Sequence, residues 1–155
     1  MPAPPLSGVL AEFGVEGAQP EALAGGRGTA WRAGDVVLKP LDMSIDALRW
    51  QADVLSSVVP DDFRVAVPLR THEGELVVEG WTAWPALTGG HAERWLDIVA
   101  VGERFHRALG DVERPSALLD ARTDGWARAD RLAWGELPAG RFADVPELAR
   151  LQAQR

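Results

Sequence analysis

Apolar residues change their period along the chain, and each period predicts an element. Val9, Leu10 and Phe13 share one helical face and Gly14 follows, which predicts a short helix from Leu6 to Phe13 with Ser7 as its N-cap. The stretches around Glu21–Ala24, Thr29–Arg32 and Val36–Lys39 are short β-prone runs between Gly/Asp turns, the pattern of consecutive hairpins, and Pro40 closes the third strand. From Ser44 onward, Ile45, Leu48, Ala52, Leu55 and Val59 step alternately by three and four, as an amphipathic helix requires. Asp46 suits its positive first turn, and Pro60-Asp61-Asp62 breaks it. Phe63–Thr71 and Leu76–Trp84 read as two more strands joined at His72-Glu73-Gly74-Glu75. Pro68 lacks an amide N–H and makes the first of them an edge or irregular strand. Beyond the connector from Pro85 to Gly90 the period turns helical again. Trp95, Ile98, Gly102, Phe105 and Leu109 form one stripe that stops at Gly110-Asp111. Short helices are expected at Ser116–Ala121 and Gly125–Trp134, and another begins at Pro146.

This order predicts an α+β chain: an N-terminal helix followed by an antiparallel five-stranded sheet with one helix over residues 1–90, then helices only over residues 91–155, with the boundary at Gly89-Gly90. Composition narrows the function classes. Apolar residues make up 46% and charged residues 25% of the 155, a globular balance. The net charge of −7 argues against a basic face for nucleic acid or for an anionic membrane. No cysteine is present, so disulfides, thiolate zinc sites and cysteine nucleophiles are excluded. No apolar run is long enough to span a bilayer, and Met1-Pro2-Ala3-Pro4-Pro5 lacks the charged and apolar regions of a secretory signal. A cytoplasmic location is therefore expected. Arginine occurs fifteen times and lysine once, at Lys39; either arginine could not replace the lysine there, or it is a chance survivor of a strong arginine preference, and only its context separates the two.

Lys39 stands eleven residues after Gly28, and Gly28 ends the run Gly25-Gly26-Arg27-Gly28 between two expected strands. Glycines let backbone amides approach a phosphate closely, and a lysine supplies a point charge to the same group. A dinucleotide fingerprint would open a helix, but Thr29-Ala30-Trp31-Arg32 and another turn follow here. A Walker loop needs Gly-Lys-Ser/Thr, which is absent. A hairpin glycine loop followed by a third-strand lysine matches the layout of kinase-like nucleotide lobes. The plain alternative is a glycine turn that only joins two strands. In such lobes the next helix carries a carboxylate that positions the lysine. Asp46, Gln51 and Asp53 are the candidates here, and solvated-face roles compete for each.

Other constellations are weaker. His91-Ala92-Glu93 has the spacing of a zinc deaminase pair without the cysteine ligands such an enzyme needs. His72 in its turn and His106 on a polar helix edge suit structural or solvated roles. No Gly-x-Ser-x-Gly elbow supports a serine hydrolase. The seven tryptophans are core or lobe-interface positions by spacing, and Trp81 and Trp84 are the two that an adenine pocket would use.

The order of these motifs resembles the aminoglycoside-phosphotransferase-like branch of the kinase-like fold, and looks most like its uncharacterised actinobacterial members. The matching segments are Leu23 to Lys39, Val78-Glu79-Gly80-Trp81, Leu87-Thr88-Gly89-Gly90, Arg104-Phe105-His106 and Ala129 to Trp134. The resemblance implies an ATP-binding lobe in which Gly25, Gly26 and Gly28 lie over the phosphates and Lys39 positions them. The segment Trp84 to Leu87, with Trp84 and Ala86, would be the hinge whose backbone faces adenine. Two departures stand out. The helix glutamate of the family aligns with Gln51, which cannot form its ion pair; Asp53 would replace it only on a shifted helix. The family's catalytic loop, His-Gly-Asp with a later asparagine and a metal-binding aspartate, has no counterpart, because no histidine here precedes an aspartate by two residues. No catalytic or metal-binding residue is therefore assigned, and Mg is expected only if a further lobe supplies its ligands.

The resulting expectation is the N-terminal portion of an ATP-dependent small-molecule phosphotransferase, inactive by itself, with its substrate unspecified. The alternative is a non-catalytic module that binds nucleotide or protein, in which exposed helical-lobe surface drives self-association.

Overall fold

The structure is a computed structural model that describes residues 3–24, 28–59, 63–88, 94–113, 115, 116, 118, 125–133, 135–138, 140 and 146. The chain divides into two compact units, Met1–Val112 and Glu113–Arg155. The Gly89-Gly90 connector and most of the segment from Pro146 to the end lie outside the described residues.

The first unit is α+β. Helix α1 (Ser7–Glu12) begins at the residue expected to cap it: Leu6 takes the N-cap position, and no side chain caps the helix. Its end follows the glycine rule. Gly14 sits at φ +71, its N–H reaches the Ala11 carbonyl at 3.0 Å, and Val15 N–H reaches Leu10 O at 2.9 Å. This paired closure satisfies two terminal carbonyls and brings Val15 against Leu10 in the core. Strands β1 (Glu21–Ala22), β2 (Trp31–Ala33), β3 (Val36–Pro40) and β4 (Trp81–Pro85) form one antiparallel sheet in the order β1-β2-β3-β4. Gly34, at φ +59, takes the first position of the two-residue turn between β2 and β3, where a tight hairpin needs a left-handed residue.

Alternation along β3 builds two faces. Val36 and Leu38 are buried, and they join Ala33, Ala83 and the α1 residues Val9, Leu10 and Phe13 in one core. On the other face, helix α2 (Ile45–Ser57) packs Leu48 and Ala52 with Leu76, Leu41, Val77 and Trp84. The α2 cap is the expected one, for the Ser44 hydroxyl accepts from Ala47 N–H at 3.2 Å. Helix α3 (Trp95–Ala108) spans the predicted stripe up to Phe105, with Leu109 as its C-cap; Trp95 and Ile98 of the stripe are exposed, and the Phe105 ring meets Phe63 edge-on with centroids 6.2 Å apart.

Two strand expectations are corrected. Among the described residues the sheet has four strands, not five. Phe63–Thr71 contributes a single bridge, Leu69 N–H to the Ala83 carbonyl at 2.8 Å, because Thr71 N–H, the next donor on that side, turns back to the Glu75 carbonyl at 2.8 Å instead of continuing along β4. Leu76–Trp84 is not one continuous strand. Glu79 at φ +48 and Gly80 at φ +78 make a two-residue turn, across which Val78 and Trp81 exchange both backbone hydrogen bonds, at 3.0 and 2.8 Å. Two successive left-handed residues define the type I′ hairpin turn, and β4 begins only after it.

In the second unit, helix α4 (Gly125–Ala133) buries Ala127. It ends as α1 does: Gly135 is at φ +67, and Glu136 N–H reaches Arg131 O at 2.8 Å. Among the described residues no helix is long and apolar enough to cross a membrane.

Candidate functional site

Strands β1 and β2 pair antiparallel, and Leu23 N–H reaches Ala30 O at 3.0 Å just beyond them; the glycine run falls between these two strands in the sequence. Gly25 and Gly26 lie outside the described residues. Gly28 is left-handed at φ +66, and a Cβ placed on it meets no atom within 4 Å. Its side-chain-free face is open, and its backbone would be strained in any residue with a Cβ.

Lys39 lies on β3 opposite Thr82, while Trp84 of β4 lies opposite Val37. Lys39 and Trp84 are thus diagonal neighbours on the sheet face that α2 covers, a spacing that long and aromatic side chains bridge. Lys39 Nζ sits 5.3 Å from the Trp84 ring centroid, a cation–π contact. A relay of hydrogen bonds holds the indole. Trp84 Nε1–H donates to Thr82 Oγ1 at 3.3 Å, and the Thr82 hydroxyl donates to the Lys39 carbonyl at 3.2 Å. Thr82 is buried, so its hydroxyl is shielded from competing water. Among the described residues Lys39 forms no ion pair.

The helix candidates separate cleanly. Asp53 is exposed and pairs with Arg70 Nη2 at 3.3 Å. Asp46 pairs with Arg49 one turn along α2 at 3.4 Å. Gln51 lies three residues after buried Leu48, and its Oε1 is buried with no hydrogen-bond partner. At the end of β4, Ala86 N–H donates to the Asp35 carbonyl at 2.7 Å, so that amide is already engaged.

A second feature escaped the sequence reading. A shallow cavity of about 290 Å³ is lined by Gly8, Glu12 and Thr71 and by Glu73, Glu75 and Glu79 on the turns before β4. The signal was present as closely spaced glutamates, but their convergence with Glu12 of α1 depends on packing. Among the described residues no group of three or more His, Asp or Glu side chains is placed to hold a metal ion. Comparison with protein-family models, with curated proteins and with solved structures finds no match for the chain.

Proposed function

We propose that residues 1–90, within the unit Met1–Val112, form a kinase-like nucleotide lobe that binds ATP through Lys39 and the glycine run. The observation that carries this reading is the placement of the sole lysine. Lys39 is on the third strand of a β1-β2-β3 meander, on the face covered by the helix that follows it, one hairpin after the glycine loop. In phosphoryl-transfer lobes of this kind the glycine loop covers the phosphates and the third-strand lysine pairs with them. Gly25, Gly26 and Gly28 would offer backbone amides, Lys39 its ammonium, and the segment from Trp84 to Ala86 the adenine edge. The residues fit in part. Lys39 is exposed and Gly28 is open, whereas the Ala86 amide is spent on Asp35 and the helix position holds neutral Gln51. These 155 residues hold no His-x-Asp pair, so no residue of theirs is assigned to phosphoryl transfer, and binding without turnover is what they support. By the resemblance, the activity of any larger assembly would be transfer of the ATP γ-phosphate to a small molecule.

Titration with ATP, followed by tryptophan emission and calorimetry, tests the reading. Lys39→Ala should weaken ATP binding about tenfold or more, the loss of one charge-assisted contact. Absence of saturable binding to the unsubstituted chain at millimolar ATP would refute it.

The N-terminal half of α3 favours a second reading, a protein-interaction module. Trp95, Leu96, Ile98 and Val99 are all exposed there, Leu96 to 87%. Concentration-dependent sizing that is abolished by Leu96→Glu would support this module. A monomer at all concentrations would remove it.

A further inference from the structure

The carboxylates on α2 do not hold the Lys39 ammonium. Asp53 is tied to Arg70, Asp46 is tied to Arg49, and Gln51 is neutral. What faces the Lys39 ammonium is an aromatic ring. Its centroid lies 5.3 Å from Nζ, and its indole N–H is anchored through Thr82 back to the Lys39 backbone.

We propose that Trp84 is the positioning residue of Lys39, holding the ammonium against its indole face where a helix carboxylate would otherwise hold it. The arrangement is self-contained. The β3/β4 register sets the diagonal, the relay fixes the ring plane, and the packing of Trp84 against the α2 cluster limits its rotation. A π face attracts the cation without neutralising it, so the full positive charge stays available to an anion arriving from the open side. The purpose of the device rests on the nucleotide reading above; the contact itself does not.

Because lysine occurs once in the chain, lysine labelled with ¹³C gives a single side-chain spin system. The Lys39 Hε resonance should lie upfield of its position in urea, as protons over an aromatic face do. Trp84→Phe should keep part of that displacement, and Trp84→Leu should abolish it. ATP affinity should fall about two- to fivefold in Trp84→Leu and less in Trp84→Phe, the worth of an exposed cation–π contact. The proposal is overturned by a native Lys39 Hε at the urea position. A displacement that survives Trp84→Leu, or equal losses of affinity in both variants, also overturns it, the last because it would mark a purely structural ring. If Trp84→Leu does not fold, the native-versus-urea comparison and Trp84→Phe decide between the same outcomes. An upfield signal that depends on Trp84, found in a chain that binds no ATP, would confirm the positioning and discard the nucleotide reading.

Discussion

Replacing Gly80 by alanine isolates the backbone cost of the turn that leads into β4. Gly80 stands at φ +78 beside Glu79 at φ +48, both left-handed. A Cβ added at Gly80 meets no heavy atom within 4 Å, so packing adds nothing to the penalty. The left-handed region costs a residue with a Cβ about 1–2 kcal/mol. Alanine also restricts the unfolded chain, which returns about 0.4–1 kcal/mol. The net expectation is a loss of about 1 kcal/mol. Glu79→Asn should move the other way, by about 0.5 kcal/mol, because asparagine tolerates this conformation better than glutamate. Urea unfolding followed by tryptophan emission reads both, as opposite shifts of the midpoint at constant slope. The turn also seats Trp81 against Pro40, and Leu41 N–H reaches Gly80 O at 2.8 Å; both contacts belong to the register that carries Lys39 and Trp84. An unchanged or raised stability in Gly80→Ala, or a loss in Glu79→Asn, would refute the assignment of this turn. A changed slope would mean that the substitution alters more than the turn.

Other outcomes follow from the same geometry. Leu38 is fully buried between β2, β4 and α1, so Leu38→Ala should cost about 2–5 kcal/mol in the same urea assay. Gln51→Met removes a buried acceptor that has no partner and should raise stability by about 1 kcal/mol, seen as a higher midpoint. Asp53→Asn should change stability by less than about 1 kcal/mol, because its pair with Arg70 is exposed, and should leave ATP affinity unchanged in calorimetry. A marked loss of affinity in Asp53→Asn would return Asp53 to the Lys39 site.

Much of the local structure was determined by the sequence alone. The three-and-four spacing after Ser44, with a hydroxyl at the cap, yields α2 because all its terms lie within a turn or two of one another. Gly14 stops α1 and Gly34 turns β2 into β3 for an equally local reason: the backbone there is left-handed, and glycine takes it without strain. The glycine hairpin and the third-strand lysine were legible as an order of motifs. The Glu79-Gly80 turn was written in the sequence but masked by the apolar run on either side of it. Pro68 marked an edge or irregular strand, but nothing in the sequence showed that Thr71 turns back to Glu75 and ends it. Only tertiary structure decided what Lys39 touches. Spacing on α2 pointed to Gln51 or Asp53, yet the partner is Trp84, because the β3/β4 register brings together residues far apart in the chain and Arg70 draws Asp53 away. Periodicity and caps are short-range properties of a chain. The partner of a charged side chain depends on which surfaces packing brings within a few ångströms of it, and on which rivals have already been engaged.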